Sequence, residues 1–318
     1  MIISIIIFIF NILLLIFPEK VLIASREGLL LWFNNVLPSL LPFIIAANML
    51  IALGFSQYLG RVLSPLMRVF FNLPGAGGFA LVTGLTSGYP MGAKTVADLR
   101  RAGLLTAKEG QHLMAFCNNA GPLFIIGVVG VGLFESAVTG YVLWGTHVIS
   151  ALMLGFLLRE KKTAEVRLCS RHFSEVNSEV NATNLPPLRI NLKPIGTILS
   201  ESVKNAMESI LLIGGLIIFF SVFIAVIEQI IQPDNFYGGI LAGTAEVTGG
   251  LRRLAVLEKT PVTLGAAAFI LAFGGLSIHA QTFHFAADTG IRVFPYIKSK
   301  VLHGVIAAWL TMLYYVLR

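Results

Sequence analysis

The chain has 318 residues, 56% of them hydrophobic and only 12% charged, whereas a soluble domain carries about a quarter charged residues. That balance excludes a water-soluble globular enzyme and leaves no stretch for a separate soluble domain. The formal charge of +7, from 23 Lys and Arg against 16 Asp and Glu, calls for no nucleic acid, because membrane proteins collect Lys and Arg in their cytoplasmic loops.

Charged side chains are separated by uncharged runs of 33 residues (28–60), 25 (69–93), 23 (136–158) and 28 (260–287). Each exceeds the ~20 residues needed to cross a bilayer as a helix. The expected fold is all-α, a polytopic membrane protein with about seven full spans, near 2–17, 36–57, 111–134, 137–158, 209–231, 261–286 and 301–317. The first span has no basic n-region and no small-residue cleavage site, so it reads as a retained helix rather than a signal peptide.

Two apolar segments do not behave as spans. Residues 74–105 are broken by Gly75, Gly77, Gly78, Gly84, Gly88, Pro90 and Gly92, and residues 236–257 by Gly238, Gly239, Gly243, Gly249 and Gly250. Irregular backbone at membrane depth is tolerated only where protein or a water-filled cavity satisfies it, so both read as re-entrant helical hairpins with polar tips. A polar linker at 159–205, with Pro186 and Pro187, divides a first membrane half (1–158) from a second (206–318). Each half has a span with asparagine at its start (Asn34 and Asn35; Asn205), then a hairpin, then a span with a polar knot (115–122; 272–281). Repeats with broken helices in matching positions mark secondary transporters. With the linker cytoplasmic, 17 of the 23 basic residues fall inside, Lys94, Arg292, Lys298 and Lys300 among them, while Lys20, Arg26, Arg252, Arg253, Lys259 and Arg318 fall outside. The same trace brings the hairpins in from opposite sides, an inverted repeat suited to alternating access.

The first hairpin tip holds Thr86, Ser87 and Tyr89, with Lys94 one turn beyond Pro90. A helix restarting there would turn free N–H groups and a positive dipole end towards an anion, and Lys94 would add a full charge. Small-residue packing and a lysine snorkelling to the interface produce the same pattern. In the second tip, Thr244 and Glu246 stand in an otherwise uncharged run, where a carboxylate marks an ion pathway, a proton site or a pair with Arg252 or Arg253. Asn118 and Asn119 precede Gly121-Pro122, where proline frees backbone carbonyls. Ser277, His279 and Gln281 take the corresponding place in the second half; interhelical hydrogen bonding would explain an isolated polar residue such as Gln281, and two clusters in matching positions weaken that reading. Cys117 and Cys169 support neither a disulfide framework nor a metal site. His279 and His284 are five apart rather than four, and no phosphate loop, HExxH or GxSxG motif occurs, so no metal, no cofactor and no enzymatic activity is expected.

Four motifs taken together, GLTSGYPMGAKTVADL (84–99), AFCNNAGPLFIIG (115–127), GTAEVTGG (243–250) and AFGGLSIHAQ (272–281), resemble the sporulation integral membrane protein YlbJ family. That family stands among the Gate-domain, or nucleoside-recognition-domain, proteins and is similar in architecture to concentrative nucleoside transporters. The likeness spans nearly the whole chain. It implies an inverted-repeat transporter with two re-entrant hairpins, and, for the sporulation branch, movement of dipicolinate from the mother-cell cytoplasm across the outer forespore membrane. The glutamine, threonine and glutamate run of nucleoside transporters is replaced by Leu85 to Tyr89, without an acid, which favours a small planar dicarboxylate. The expected function is export of a small organic anion, with that anion and the lipid bilayer as partners. The alternatives are a nucleoside transporter and a non-transporting assembly or receptor protein. Glu246 and His279 would serve proton coupling, and Asn118 and Thr244 sodium. Whether a second copy of the chain is a partner stays open.

Overall fold

Fifteen apolar residues form α1 (Ile2–Ile16), after which the chain bends by 103°. Pro18, whose missing N–H costs nothing in a first turn, starts α2 (Pro18–Leu31). A π-helical turn (Trp32–Val36) carries the backbone on into α3 (Leu37–Ala52). Left-handed Gly54 separates it from α4 (Phe55–Leu66), which ends in a second π-helical turn (Met67–Phe71). This computed structural model describes residues 2–159, 194–230 and 235–318, and among them every regular element is helical.

The first glycine-rich segment folds as α5 (Gly77–Thr86) and α6 (Met91–Arg101), with the Thr83 and Thr95 hydroxyls 3.1 Å apart across the pair. α7 (Ala107–Cys117) begins with a capping box between Thr106 and Glu109, satisfying N–H groups that a helix start leaves free. It stops at Asn118, and a π-helix (Leu123–Leu133) resumes after Pro122. α8 (Ala137–Leu157) follows on a Ser136 cap. After α9 (Ile195–Ile230) come α10 (Phe236–Ala245) and α11 (Val247–Ala255), joined at Glu246. α12 (Pro261–Phe273) ends at left-handed Gly274, α13 (Gly275–Ala286) restarts at once, and α14 (Val293–Leu317) closes the chain.

The long run from α2 to α3 lies antiparallel along α9. A Cβ on Gly28 would sit 3.0 Å from the Ile218 Cα, Trp32 Nε1 donates to the Ile210 carbonyl at 3.0 Å, and Asn48 Nδ2 donates to the Ser202 carbonyl at 3.2 Å. One hydrophobic cluster gathers the first hairpin, α7 and Tyr296; another gathers the π-helix at 123–133, α8, α11, α12 and Ala307 of α14. Large apolar side chains such as Phe8, Leu15, Phe33, Tyr237 and Trp309 face outward, as a lipid solvent permits.

Four helices among the described residues are long and apolar enough to cross a membrane, at Ala137–Leu157, Ile195–Gln229, Pro261–Ala286 and Val293–Leu317, or five counting the bent pair Ile7–Ile16 with Pro18–Asn34. The expected seven are not reached by that measure. The stretch 36–57 is cut at Gly54, and 111–134 is interrupted where Asn118 leaves the helix. Residues 18–35, expected as a loop with outward-facing Lys20 and Arg26, are helical throughout. α9 begins at Ile195, inside the expected linker, because Ile198, Ser202, Ala206, Ser209 and Ile210 recur at helical spacing and are buried. Residues 160–193 of that linker, with Cys169, Pro186 and Pro187, lie outside the described residues.

Candidate functional site

Each hairpin backs onto the broken helix that follows it in sequence. In the first half, Cβ atoms on Gly84 and Gly92 would lie 1.8 and 1.9 Å from one and the same atom, the Cys117 carbonyl oxygen, and one on Gly88 would lie 2.5 Å from the Gly121 nitrogen. Only glycine lets the hairpin approach the break this closely. In the second half, the corresponding contact is looser: a Cβ on Gly275 would lie 3.1 Å from the Gly243 carbonyl and 3.2 Å from that of Ala245.

At the first break, the Asn118 side chain donates through Nδ2 to Thr282 Oγ1 at 2.9 Å and to the Tyr296 hydroxyl at 2.8 Å, tying the break to α13 and α14. Asn119 Nδ2 donates to the Phe116 carbonyl at 2.7 Å. The Ala120 N–H donates to His147 Nε2 at 3.1 Å, so α8 supplies an acceptor for backbone that the helix break leaves open. Lys300 Nζ then donates to the Asn118 carbonyl at 2.8 Å and lies 3.0 Å from His303 Nδ1. Asn118, Asn119, His147, His279, Lys300 and His303 are all at most 2% exposed. Several of their polar atoms have no protein partner: Asn118 Oδ1, Asn119 Oδ1, His147 Nδ1 and both ring nitrogens of His279, along with the Tyr89 hydroxyl and Gln281 Oε1. Buried polar groups are normally paired, and an unpaired one costs ~1–3 kcal/mol. A concentration of them at a helix break points to a ligand site.

The sequence candidates divide accordingly. Asn118 and His279 meet around Tyr296: Asn118 bonds its hydroxyl, and the His279 and Tyr296 rings are 5.4 Å apart, while Tyr89 packs against the cluster that holds Ala120, Ile125 and Val129. Ser277 and Gln281 are buried but, four residues apart, share a face of α13 other than the one carrying His279 and Thr282. Thr86 and Thr244 bond back to their own helices, through the Val82 and Leu241 carbonyls at 2.8 and 2.7 Å. Ser87 closes α5 through its backbone N–H to the Thr83 carbonyl. Glu246 caps α11, accepting from the Thr248 and Gly249 N–H groups at 3.0 and 2.7 Å, while Arg253 pairs with Glu228 at 2.6 Å.

Lys94 stands apart from the break. Its ammonium pairs with Asp98 at 2.7 Å and donates to Asn48 Oδ1 at 3.1 Å. It lines a cavity of about 400 Å³ together with Arg101, Asn205, Glu208, His284 and others. A second cavity, about 270 Å³, lies beside the other hairpin, lined by Glu27, Glu228, Glu246, Arg252 and Arg253 among others. The two cavities draw on opposite parts of α9, Asn205 to Ser209 for the first and Ser221 to Glu228 for the second, whose midpoints are about 26 Å apart at 1.5 Å per residue. Lys300, expected with the loop lysines, is instead 1% exposed inside α14. Together with His303, His147, Tyr296 and Thr282 it is part of the site that the motifs did not reveal. Among the described residues no three His, Cys, Asp or Glu side chains converge as metal ligands.

The family described as Gate, nucleoside recognition, matches residues 33–137, which take in the first hairpin and the first break. The sporulation integral membrane protein YlbJ of Bacillus subtilis (strain 168) is 34% identical over 321 residues, an alignment covering 93% of this chain and 78% of that protein. No solved structure matches the chain.

Proposed function

The chain belongs to the YlbJ family of sporulation integral membrane proteins, and on that premise we propose that it is a transporter exporting a small organic anion, dipicolinate foremost, across the outer forespore membrane. The observation that carries the reading is the set of buried, unpartnered polar atoms at the first helix break, enclosed by the hairpin tip, α13 and α14. A packed structural core has no use for such atoms, whereas a solute that crosses in stages needs polar contacts replacing water at membrane depth. The two cavities, one beside each hairpin and separated along α9, support alternating access, with each hairpin gating one side. The matching order of hairpin, broken helix and closing helix in the two halves supports an inverted repeat in which the hairpins enter from opposite faces.

A nucleoside is the second reading, favoured by the nucleoside-recognition match at 33–137. Purified protein in sealed vesicles separates the two. Saturable dipicolinate flux, competed by other pyridine carboxylates and not by uridine, is the expected result. Uridine flux that dipicolinate does not inhibit would favour the nucleoside, and the absence of saturable flux for both would leave a non-transporting membrane protein.

A further inference from the structure

We infer that Lys300 is the amino group that receives the carboxylate of the transported anion. The inference deepens the transport reading of the same site and rests on it. α14 presents Tyr296, Lys300, His303 and Ala307 as one buried stripe, and the lysine reaches from there to the break in the opposite half. Two of its three N–H donors are used, on the Asn118 carbonyl and His303 Nδ1. His303 Nε2 lies 3.2 Å from the His147 carbonyl, which can only accept, so His303 Nε2 carries the proton and Nδ1 is a neutral acceptor. His147 Nε2 accepts from Ala120, so it too adds no charge in this arrangement.

Among the described residues no carboxylate pairs with Lys300. Glu246 is spent on capping α11, and Asp98 holds both Lys94 and Arg101. A buried ammonium with a donor left over and no counter-ion is costly unless an anion joins it. The surroundings define what that anion carries. Phe273, His279, Phe283 and Tyr296 form a chain of ring contacts at 4.6 to 5.6 Å, suited to a flat ring. The unpartnered Asn118 Oδ1, His279 nitrogens and Tyr89 hydroxyl supply further polar contacts. Lys94, by contrast, is already neutralised by Asp98. Neither cavity is lined by Lys300, so the anion reaches it only as the hairpin contacts open.

The test uses the full chain, with pyridine-2,6-dicarboxylate as probe, binding read by the ligand-induced shift of melting temperature and flux read in vesicles. Lys300→Met keeps the aliphatic stem and removes the charge. His303→Glu keeps the lysine but gives it an internal carboxylate three residues away, a change expected to hold or raise the unliganded melting temperature. Both should weaken binding by roughly 10-fold to 100-fold, the range of a lost charge-assisted contact, whereas Lys298→Gln, at an exposed lysine over the Phe294 ring, should leave affinity within about 3-fold of the parent. Parent-like affinity in a folded Lys300→Met or His303→Glu protein overturns the inference while leaving transport intact. Binding in the parent that both variants lose, without saturable flux in the parent, would sink the transport reading and leave Lys300 standing. A parent that neither binds nor moves the probe overturns both.

Discussion

The two hairpins answer the same sequence pattern in different ways. The first turns through four residues, Ser87 to Pro90, and presses two glycines onto a carbonyl of the neighbouring broken helix. Its tip places the Tyr89 hydroxyl inward without a protein partner. The second turns on the single residue Glu246, whose carboxylate is consumed by its own helix, and its tightest glycine contact is internal, Gly250 against the Gly243 Cα at 2.2 Å. A glycine-rich tip can thus present polarity outward to a ligand or close upon itself. The number of residues in the turn decides which, because only the longer one frees a side chain from capping duty.

Substitutions at the glycine seats should have the largest effect. Gly92→Ala forces a Cβ against the Cys117 carbonyl at 1.9 Å, and Gly250→Ala forces one against Gly243 at 2.2 Å; each is expected to cost about 3 kcal/mol or more, the upper range for overpacking. Gly145→Ala and Gly215→Ala, where a Cβ would meet nothing within 4 Å, should hold or gain up to ~1 kcal/mol through helix propensity. Thermal melts in detergent compare the four, and a Gly92→Ala protein melting like the parent would remove the rigid seat from the first hairpin.

A smaller pair of effects sharpens the contrast between the tips. Tyr89→Phe deletes a buried hydroxyl that no protein group satisfies, so the melting temperature should hold or rise while substrate affinity drops about 5-fold, one neutral hydrogen bond. Glu246→Ala should do the reverse, costing ~1 kcal/mol of stability through the lost cap, with Glu246→Asn recovering most of it. If Glu246→Gln instead flattens the pH dependence of flux at unchanged melting temperature, the carboxylate serves coupling before capping.

The smallest effect belongs to the arginine ties on the second arm of each hairpin, Arg101 to Asp288 and Arg253 to Glu228, both at 2.6 Å. The hydrogen bond from Arg101 holds the Asp288 carboxylate below its ordinary value. A depressed carboxylate contributes stability that is present above its unfolded value, about 4, and is lost as pH falls through the folded one. The Asp288 side chain is 64% exposed, so the drop in melting temperature between about pH 6 and pH 3 should be slight. Asp288→Asn should remove that part of it; an unchanged acid-side drop would mean the tie is inert.

Glycine and proline spacing marked both segments in which the helix is interrupted, at residues 87–90 and at Glu246, because a break in a helix has few chemical causes. The spans were less legible. Glu19, Lys20, Arg26 and Glu27 make α2 look like a loop, yet Ala24 and Gly28 face α9 and carry the helix along it. At the site, the asparagines and His279 stood out as polar residues in apolar runs. Lys300 did not, because Lys298 and Arg292 close by lent it the look of an interfacial lysine. The signal that reveals it is helical register: Tyr296, Lys300, His303, Ala307 and Thr311 recur at intervals of three and four, and all are buried. Polar residues on such a stripe belong to the interior however near the helix end they lie.

Gly84 and Gly92 bear on one carbonyl oxygen from the two arms of the first hairpin, so the hairpin and the broken helix behind it are seated backbone against backbone. A side chain at either glycine would collide with the Cys117 carbonyl, so the hairpin tip and the backbone beside Asn118 stay in direct contact. Lys300 is anchored elsewhere, on α14, and its bond to the Asn118 carbonyl spans the seam between that seated unit and the closing helix. Under the proposed alternating access, opening of the first hairpin would have to break that bond together with those from the Asn118 side chain to Thr282 and Tyr296, which would make the lysine a latch.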